Sequence, residues 1–184
     1  MTHGDNVKPK FVELYKDIAK RVADLSYARR LKVGAIVVKD DRIISMGYNG
    51  MPAGWENDCE YKDYMDGDAG GWLDPEEIAE RWPHEEQVEI IDPDDGILRM
   101  NRRYQLKTRP EVLHAESNAL AKLAKSNDSG DGADLFVTHS PCIQCAKLIY
   151  QSGIRRVYFG QSYRDDSGIK FLKQSGVEVI QHDE

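Results

Sequence analysis

Cysteine is scarce in this 184-residue chain: there are three, an odd number, and two of them form the C-x-x-C of Cys142 and Cys145. That count excludes a disulfide framework and points to metal or redox chemistry. No apolar run approaches the roughly 18 residues needed to span a bilayer. The opening stretch MTHGDNVKPK lacks the apolar segment of a secretory signal. Seven prolines and 15 glycines are too few for a collagen-like or low-complexity chain. A soluble, cytoplasmic protein is therefore expected. With 40% hydrophobic residues, the length suits one domain over 1–184 with a good core.

Positive charge is missing from one region. Between Glu56 and Asp95 there are 16 acidic residues and two basic ones, Lys62 and Arg81. That segment carries −14 of a net −7, which leaves +7 on the other 144 residues. An acidic run usually marks a solvated face, whereas a basic remainder favours a phosphorylated ligand.

Apolar residues at Phe11, Leu14, Ile18, Val22 and Leu25 follow the three-and-four spacing of an amphipathic helix. Two strands, 33–38 and 43–46, flank Lys39-Asp40-Asp41-Arg42 as a hairpin. Residues 47–54 are dense in turn formers and read as a loop. Residues 55–110 contain all three tryptophans, the acidic cluster and one helix candidate near Pro75. They read as an inserted subdomain, because a structureless loop of that length is unusual. The tryptophans are expected to form its small core. Beyond Leu113 come a helix at 114–125, a strand at 135–138 and a helix at 141–152. A strand at 156–159, a helix at 169–174 and a last strand at 177–180 complete the chain. This order predicts a five-stranded sheet with helices on both faces.

The chemistry concentrates in His114, Cys142 and Cys145, at the starts of two predicted helices. Two cysteines three apart on a helix share a face, and the helix's positive end favours their thiolates. His114 would close a three-ligand zinc site, leaving the fourth tetrahedral position for water, as catalytic zinc does. Glu116, two residues on, can face the same pocket as a proton carrier without being a ligand. The full string His114-Ala115-Glu116, then Pro141-Cys142-Ile143-Gln144-Cys145, matches the H-x-E…P-C-x-x-C signature of zinc-dependent nucleobase deaminases.

At this point the chain resembles the deoxycytidylate (dCMP) deaminases, phage forms included. The resemblance is carried by residues 32–44, by Gly47-Tyr48-Asn49-Gly50-Met51-Pro52-Ala53-Gly54 and by the HAE/SPCxxC pair. A weaker block runs from Tyr158 through Tyr163-Arg164-Asp165 to Gly168. It covers nearly everything except the insert. It implies a cytidine-deaminase-like α/β fold in three α/β/α layers, with a mixed five-stranded sheet and the acidic insert after the first hairpin. It also implies conversion of dCMP to dUMP and ammonia, supplying dUMP for thymidylate synthesis. In such enzymes zinc-activated water attacks C4 of cytosine, and Glu116 would take the water proton, deliver it to N3 and later help ammonia leave. The Ala115 N–H and Ser140 carbonyl would read the base edge, Asn49 would hold the sugar hydroxyl, and Val33 would pack near the ring.

The monophosphate needs cationic or hydroxyl partners. Arg30, with Arg29 and Lys32 beside it, and Tyr163, with Arg164, are the candidates. The resemblance further implies a homohexamer activated by dCTP with Mg²⁺ and inhibited by dTTP, with Gly47, Tyr48, Gly50 and Gly54 in the effector-reporting loop. A phage-encoded form would work in the host cytoplasm. Some phage relatives hold a second zinc; here only Cys59 and His84 stand in the insert, so Cys59 reads as a buried thiol and His139 as a neighbour of the Ser140-Pro141 turn. Other readings are a deaminase of cytidine, dCTP or an RNA base, and a zinc-stabilised binding module. Glu116 argues against the last, and the acidic segment argues against a polynucleotide track.

Overall fold

A two-residue turn starts the main sheet. Asp40 and Asp41 adopt φ of 51° and 57°, the left-handed pair that a type I′ turn requires and that aspartate tolerates. The computed structural model describes residues 7–65, 73–92, 96–163 and 165–182. In chain order the first elements are α1 (Pro9–Ala23), β1 (Gly34–Lys39), β2 (Arg42–Tyr48), β3 (Glu60–Tyr64), α2 (Pro75–Arg81) and β4 (His84–Asp92). Then come β5 (Gly96–Thr108), α3 (Ala115–Leu123), β6 (Asp134–His139), α4 (Ile143–Gln151), β7 (Arg156–Gln161), α5 (Ser167–Gln174) and β8 (Glu178–Gln181). Gly47 and Tyr48, expected in the loop, instead close β2. They pair with Ala35 and Gly34, and the Asn49 N–H continues the ladder to the Val33 carbonyl at 3.1 Å.

The chain divides into two compact units, Met1–Cys59 with Glu111–Glu184, and Glu60–Pro110. In the first, the sheet order is β2-β1-β6-β7-β8. β1 runs antiparallel to β2 and β6, and β6, β7 and β8 are mutually parallel. Both faces of β1 are covered, which explains its unbroken apolar run. Ile36 and Val38 meet Tyr15, Ala19 and Val22 of α1, with Phe136 and Tyr158. Ala35 and Val37 meet Ala119, Leu120 and Leu123 of α3 and Ala146 and Ile149 of α4. The expected α/β/α sandwich over a mixed sheet is the structure observed. Cys59 is buried with Ala28 and Val112.

The second unit is an antiparallel sheet of order β3-β5-β4 with α2. Asp74 caps α2 reciprocally with Glu77, and Pro75 occupies the first turn. Across the sheet, acidic side chains meet the basic ones of β5: Arg99 with Glu89 at 2.9 Å and Lys107 with Asp63 at 2.9 Å. Lys62 and Tyr64 also bond Glu86. The sequence split of −14 and +7 therefore had its boundary in the wrong place. Glu60 to Pro110 holds 14 acidic and seven basic residues, so this unit carries the whole net charge of −7 and the other unit is neutral. The tryptophans do not form one core either. Trp82 is buried, Trp55 stands outside this unit and is 58% exposed, and Trp72 lies outside the described residues.

One polar cluster is deep in the first unit. Asp134 accepts from Arg155 Nε at 3.0 Å and from Arg156 Nε at 3.0 Å, and both Asp134 and Arg156 are buried. Removing one partner of a buried ion pair strands the other charge, at a cost of about 3–5 kcal/mol. Asp134→Ala should accordingly lower unfolding free energy by about that amount in urea titrations. A loss below about 1 kcal/mol would mean the guanidiniums find water instead.

Candidate metal centre and active site

Both helices that carry the signature begin on a functional side chain. His114 is the N-cap of α3 and Cys142 the N-cap of α4, each in extended backbone with ψ of 155° and 167°. The helix around Cys142 thus starts at Ile143, later than the sequence reading placed it. The Cys142 carbonyl accepts the first helical bond from the Ala146 N–H at 2.9 Å, as the His114 carbonyl does from Asn118 at 2.9 Å. Neither side chain makes an N-cap hydrogen bond, which leaves both turned to other use. Cys145 lies inside the first turn of α4, buried.

Two close backbone contacts set these helix starts. A Cβ on Gly47 would stand 2.3 Å from the Ala115 carbonyl oxygen, so β2 and the first turn of α3 touch backbone to backbone. A Cβ on Gly168 would stand 2.1 Å from the Pro141 carbonyl oxygen, so α5 lies directly on the turn leading into Cys142. Side chains strap the first contact: Asn118 Nδ2 donates to the Tyr48 carbonyl at 2.9 Å, and Ser45 Oγ to the Ala119 carbonyl at 2.7 Å.

Among the described residues, His114, Cys142 and Cys145 form a metal-compatible group, with ligand atoms all within 4.8 Å of one another. His114 Nδ1 lies 3.5 Å from each sulfur. A zinc tetrahedron with Zn–S of about 2.3 Å and Zn–N of about 2.0–2.1 Å has S···N edges of about 3.5 Å. The donor set and spacing both fit zinc, with Nδ1 as the histidine ligand. The electrostatics agree. Cys142 is held down to about 3, first by the hydrogen bond from Cys145 and then by His114. Cys145 is pushed up by that same bond and by burial. His114 is raised by its bond to Cys142. Zinc takes cysteine as thiolate and histidine as neutral imidazole, so metal binding must release the protons these groups carry.

Glu116 is 4% exposed, and burial pushes its carboxyl up to about 7. It neighbours His114 and both thiols without being a member of the ligand group. A carboxyl poised near neutrality beside a metal site suits proton transfer in both directions.

The remaining candidate residues fall into two groups. Ala115 is buried at the first position of α3, where N–H groups lack an intrahelical acceptor. Val33 packs partly buried against the main core. Ser140 precedes the cysteine turn, its Oγ accepting from the Tyr163 N–H at 2.7 Å. Asn49 clamps backbone: Oδ1 accepts from the Val33 N–H at 2.8 Å, and Nδ2 donates to the Leu31 carbonyl at 2.8 Å. Arg30 is exposed and Tyr163 is 54% exposed. Arg29 is ion-paired with Asp58 at 3.4 Å, Lys32 lines a separate cavity, and Arg164 lies outside the described residues. Gly54 keeps a positive φ of 89° after the Gly50–Leu113 bridge. Asn118 and Ser45 went unnoticed in the sequence, because their partners lie about 70 residues away.

Comparison with known proteins agrees with this geometry. Residues 9–161 match the family described as the cytidine and deoxycytidylate deaminase zinc-binding region. Deoxycytidylate deaminase of Enterobacteria phage T4 is 36% identical over 169 residues, covering 89% of this chain and 85% of that one. Deoxycytidylate deaminase of Mycobacterium phage D29 is 35% identical over 152 residues, 83% of this chain and 95% of that one. The crystal structure of dCMP deaminase from cyanophage S-TIM5, in complex with dCMP and dUMP, superposes with a TM-score of 0.69 at 37% identity. It aligns over 96% of this chain and 100% of its own. With the matched region spanning both signature helices, the chain belongs to the cytidine and deoxycytidylate deaminase family and is a hydrolytic deaminase with a zinc-binding site.

Proposed function

We propose that the protein converts dCMP to dUMP and ammonia. The observation that carries this reading is the His114–Cys142–Cys145 triangle of zinc dimensions with buried Glu116 beside it, in a chain 36–37% identical to phage enzymes named for that reaction. Zinc held by the triangle supplies Lewis acidity, making a nucleophile of water near neutral pH. Glu116 takes one proton from the attacking water and delivers it to N3 as the oxygen bonds C4. It then passes that oxygen's second proton to the C4 amino group as the C4–N bond breaks and ammonia leaves. The Ala115 N–H and the Ser140 carbonyl hold the base edge, and Val33 packs against the ring. The Asn49 amide has a second N–H and a second lone pair beyond its backbone clamp, enough to meet a sugar hydroxyl. Arg30 and Tyr163 take the monophosphate. Ammonia release from dCMP, deoxycytidine, dCTP and a cytosine-containing oligonucleotide, compared side by side, tests the assignment against other cytosine substrates.

The division between ligands and proton carrier gives separate outcomes. Glu116→Ala should keep about one zinc per chain but lose about 10²–10⁴-fold in turnover, while Cys142→Ala and Cys145→Ala should lose the metal itself. Metal analysis of the purified variants decides it, and substantial turnover by Glu116→Ala would sink the mechanism.

Charge-assisted contacts are worth about 1.5–3 kcal/mol each. Deoxycytidine should therefore have a kcat/KM at least tenfold below that of dCMP, and Arg30→Gln should narrow the gap by weakening dCMP alone. Equal kcat/KM for the two substrates in the unaltered enzyme rules out a phosphate site.

Regulation extends the same reading. The protein assembles as a homohexamer, dCTP with Mg²⁺ activates it and dTTP inhibits it, through the segment of Gly47, Tyr48, Gly50 and Gly54. Gly47 touches the Ala115 backbone and Asn49 holds Val33, so a shift there reaches the site. Couplings of this kind are typically about 1–3 kcal/mol. Dependence of rate on dCMP should be sigmoidal, become hyperbolic with dCTP and Mg²⁺, and move to higher dCMP with dTTP. Hyperbolic kinetics indifferent to both, from a species of monomer mass, removes the regulation and leaves the deaminase.

A further inference from the structure

A second concave site lies on the α1 side of the main sheet. A cavity of about 330 Å³ opens between α1 and the ends of β6 and β7, within the size range of small-molecule sites. Its charged and titratable lining is Lys16, Lys20, Lys32, His139, His182 and Asp24. Lys16 is only 6% exposed and pairs with Glu13 at 3.1 Å. Asp24, the single acid of the lining among the described residues, is ion-paired with Arg21 at 3.2 Å. Lys20 and Lys32 form no ion pair among the described residues. His182 Nδ1 is buried with no hydrogen-bond partner among them, while its backbone N–H is fixed to the Phe159 carbonyl at 3.0 Å. The floor is apolar: Ala19, Ala23, Phe136 and Val137.

We propose that this cavity binds a phosphorylated anion, with its phosphate chain against Lys20, Lys32 and His182. Clustered cations in a concave, partly apolar site focus potential and raise the local concentration of anions. Lys and imidazole N–H groups bind phosphate oxygens through charge-assisted bonds. The positive field is registered at His182, which is held below the usual histidine value by burial first and then by Lys16. A cation is a poor occupant, because no set of metal-ligating side chains is gathered here among the described residues. The cavity is also distinct from the metal centre. Its wall is the end of β6, Thr138 and His139, whereas the zinc ligands start α3 and α4 and the α3–α4 core covers the opposite sheet face.

The ligand is either a bare polyphosphate or a nucleoside triphosphate whose base uses the apolar floor, and the two arms of one experiment separate them. Zinc-loaded protein is titrated calorimetrically with sodium tripolyphosphate and, separately, with ATP, a nucleoside triphosphate that is neither substrate nor effector in the proposed function. One binding event per chain is expected, weakened at least tenfold in Lys20→Gln/His182→Gln and retained in Arg30→Gln/Tyr163→Phe, which removes only the proposed substrate-phosphate contacts. Equal affinity for both anions identifies a phosphate-chain site, and ATP binding at least tenfold tighter identifies a nucleotide site. Should the double variant fail to fold by circular dichroism, Lys20→Glu alone, an exposed change, must produce the same loss. No binding of either anion at millimolar concentration overturns the proposal. So does binding that the Lys20 variants leave within twofold while Arg30→Gln/Tyr163→Phe abolishes it. Because binding is read without turnover, this result stands or falls independently of the deaminase reading.

Discussion

The metal-ligand triangle depends on backbone packed directly against backbone. His114 and Cys142 come from segments 28 residues apart, and each ligand atom must be placed to within a fraction of an ångström for a tetrahedral ion to be held. Side-chain packing alone tolerates adjustments of that size. The contact of Gly47 on the Ala115 carbonyl and of Gly168 on the Pro141 carbonyl does not, because no side chain lies between the elements to yield. One glycine fixes the start of α3 against β2, and the other fixes the approach to α4 against α5. The S···N edges of 3.5 Å follow from these two constraints.

Electrostatics then act on a geometry already set. The positive ends of α3 and α4 converge on one point, and each favours negative charge near its first turn. Histidine and cysteine occupy N-cap positions where serine or aspartate would stabilise the helix by about 1 kcal/mol. Neither makes an N-cap hydrogen bond, so the fold forgoes that stabilisation at two helices to aim both side chains at a metal. Glu116 sits in the same field but is buried deeply enough that desolvation dominates and lifts its carboxyl to about 7. Two anionic ligands, a neutral imidazole and a carboxyl near neutrality form a site that can both hold a divalent ion and pass a proton.

How much of this was readable from sequence differs by feature, and range explains the difference. The H-x-E and P-C-x-x-C strings were legible because their chemistry is local: ligand spacing and helix start lie within five residues. The five strands and their sequence along the chain were legible from apolar runs and turn residues, including the Asp40-Asp41 turn. The insert was not. The charges of its β3, β4 and β5 follow no simple alternation, and the pairing of Glu89 with Arg99 or Asp63 with Lys107 is visible only once the register is known. A charge tally cut at Asp95 separated acids from their partners and left a spurious surplus on the other unit. Lys32, grouped by its sequence neighbours with the phosphate candidates, lines the cavity on the α1 side, a placement that only the fold reveals.

Long-range polar bonds tie the lead-in to the cysteines to the rest of the sheet. Thr138 Oγ1 accepts from the Gly34 N–H at 3.2 Å and meets His139 Nδ1 at 3.1 Å. Ser140 N–H donates to the Gln161 carbonyl at 2.9 Å, while its Oγ holds the Tyr163 N–H. The start of β1, the end of β6 and the segment after β7 are thereby joined within three residues of Pro141. Asn49 adds the end of β2 by clamping Leu31 and Val33. Each such bond nets only about 0.5–1.5 kcal/mol, too little for any one to decide folding. Their value lies in direction, since a bond angle restricts a loop where an apolar contact would let it slide. A hydrolytic site needs its loops held in this way, because the reacting atoms must meet the metal and the carboxyl at once.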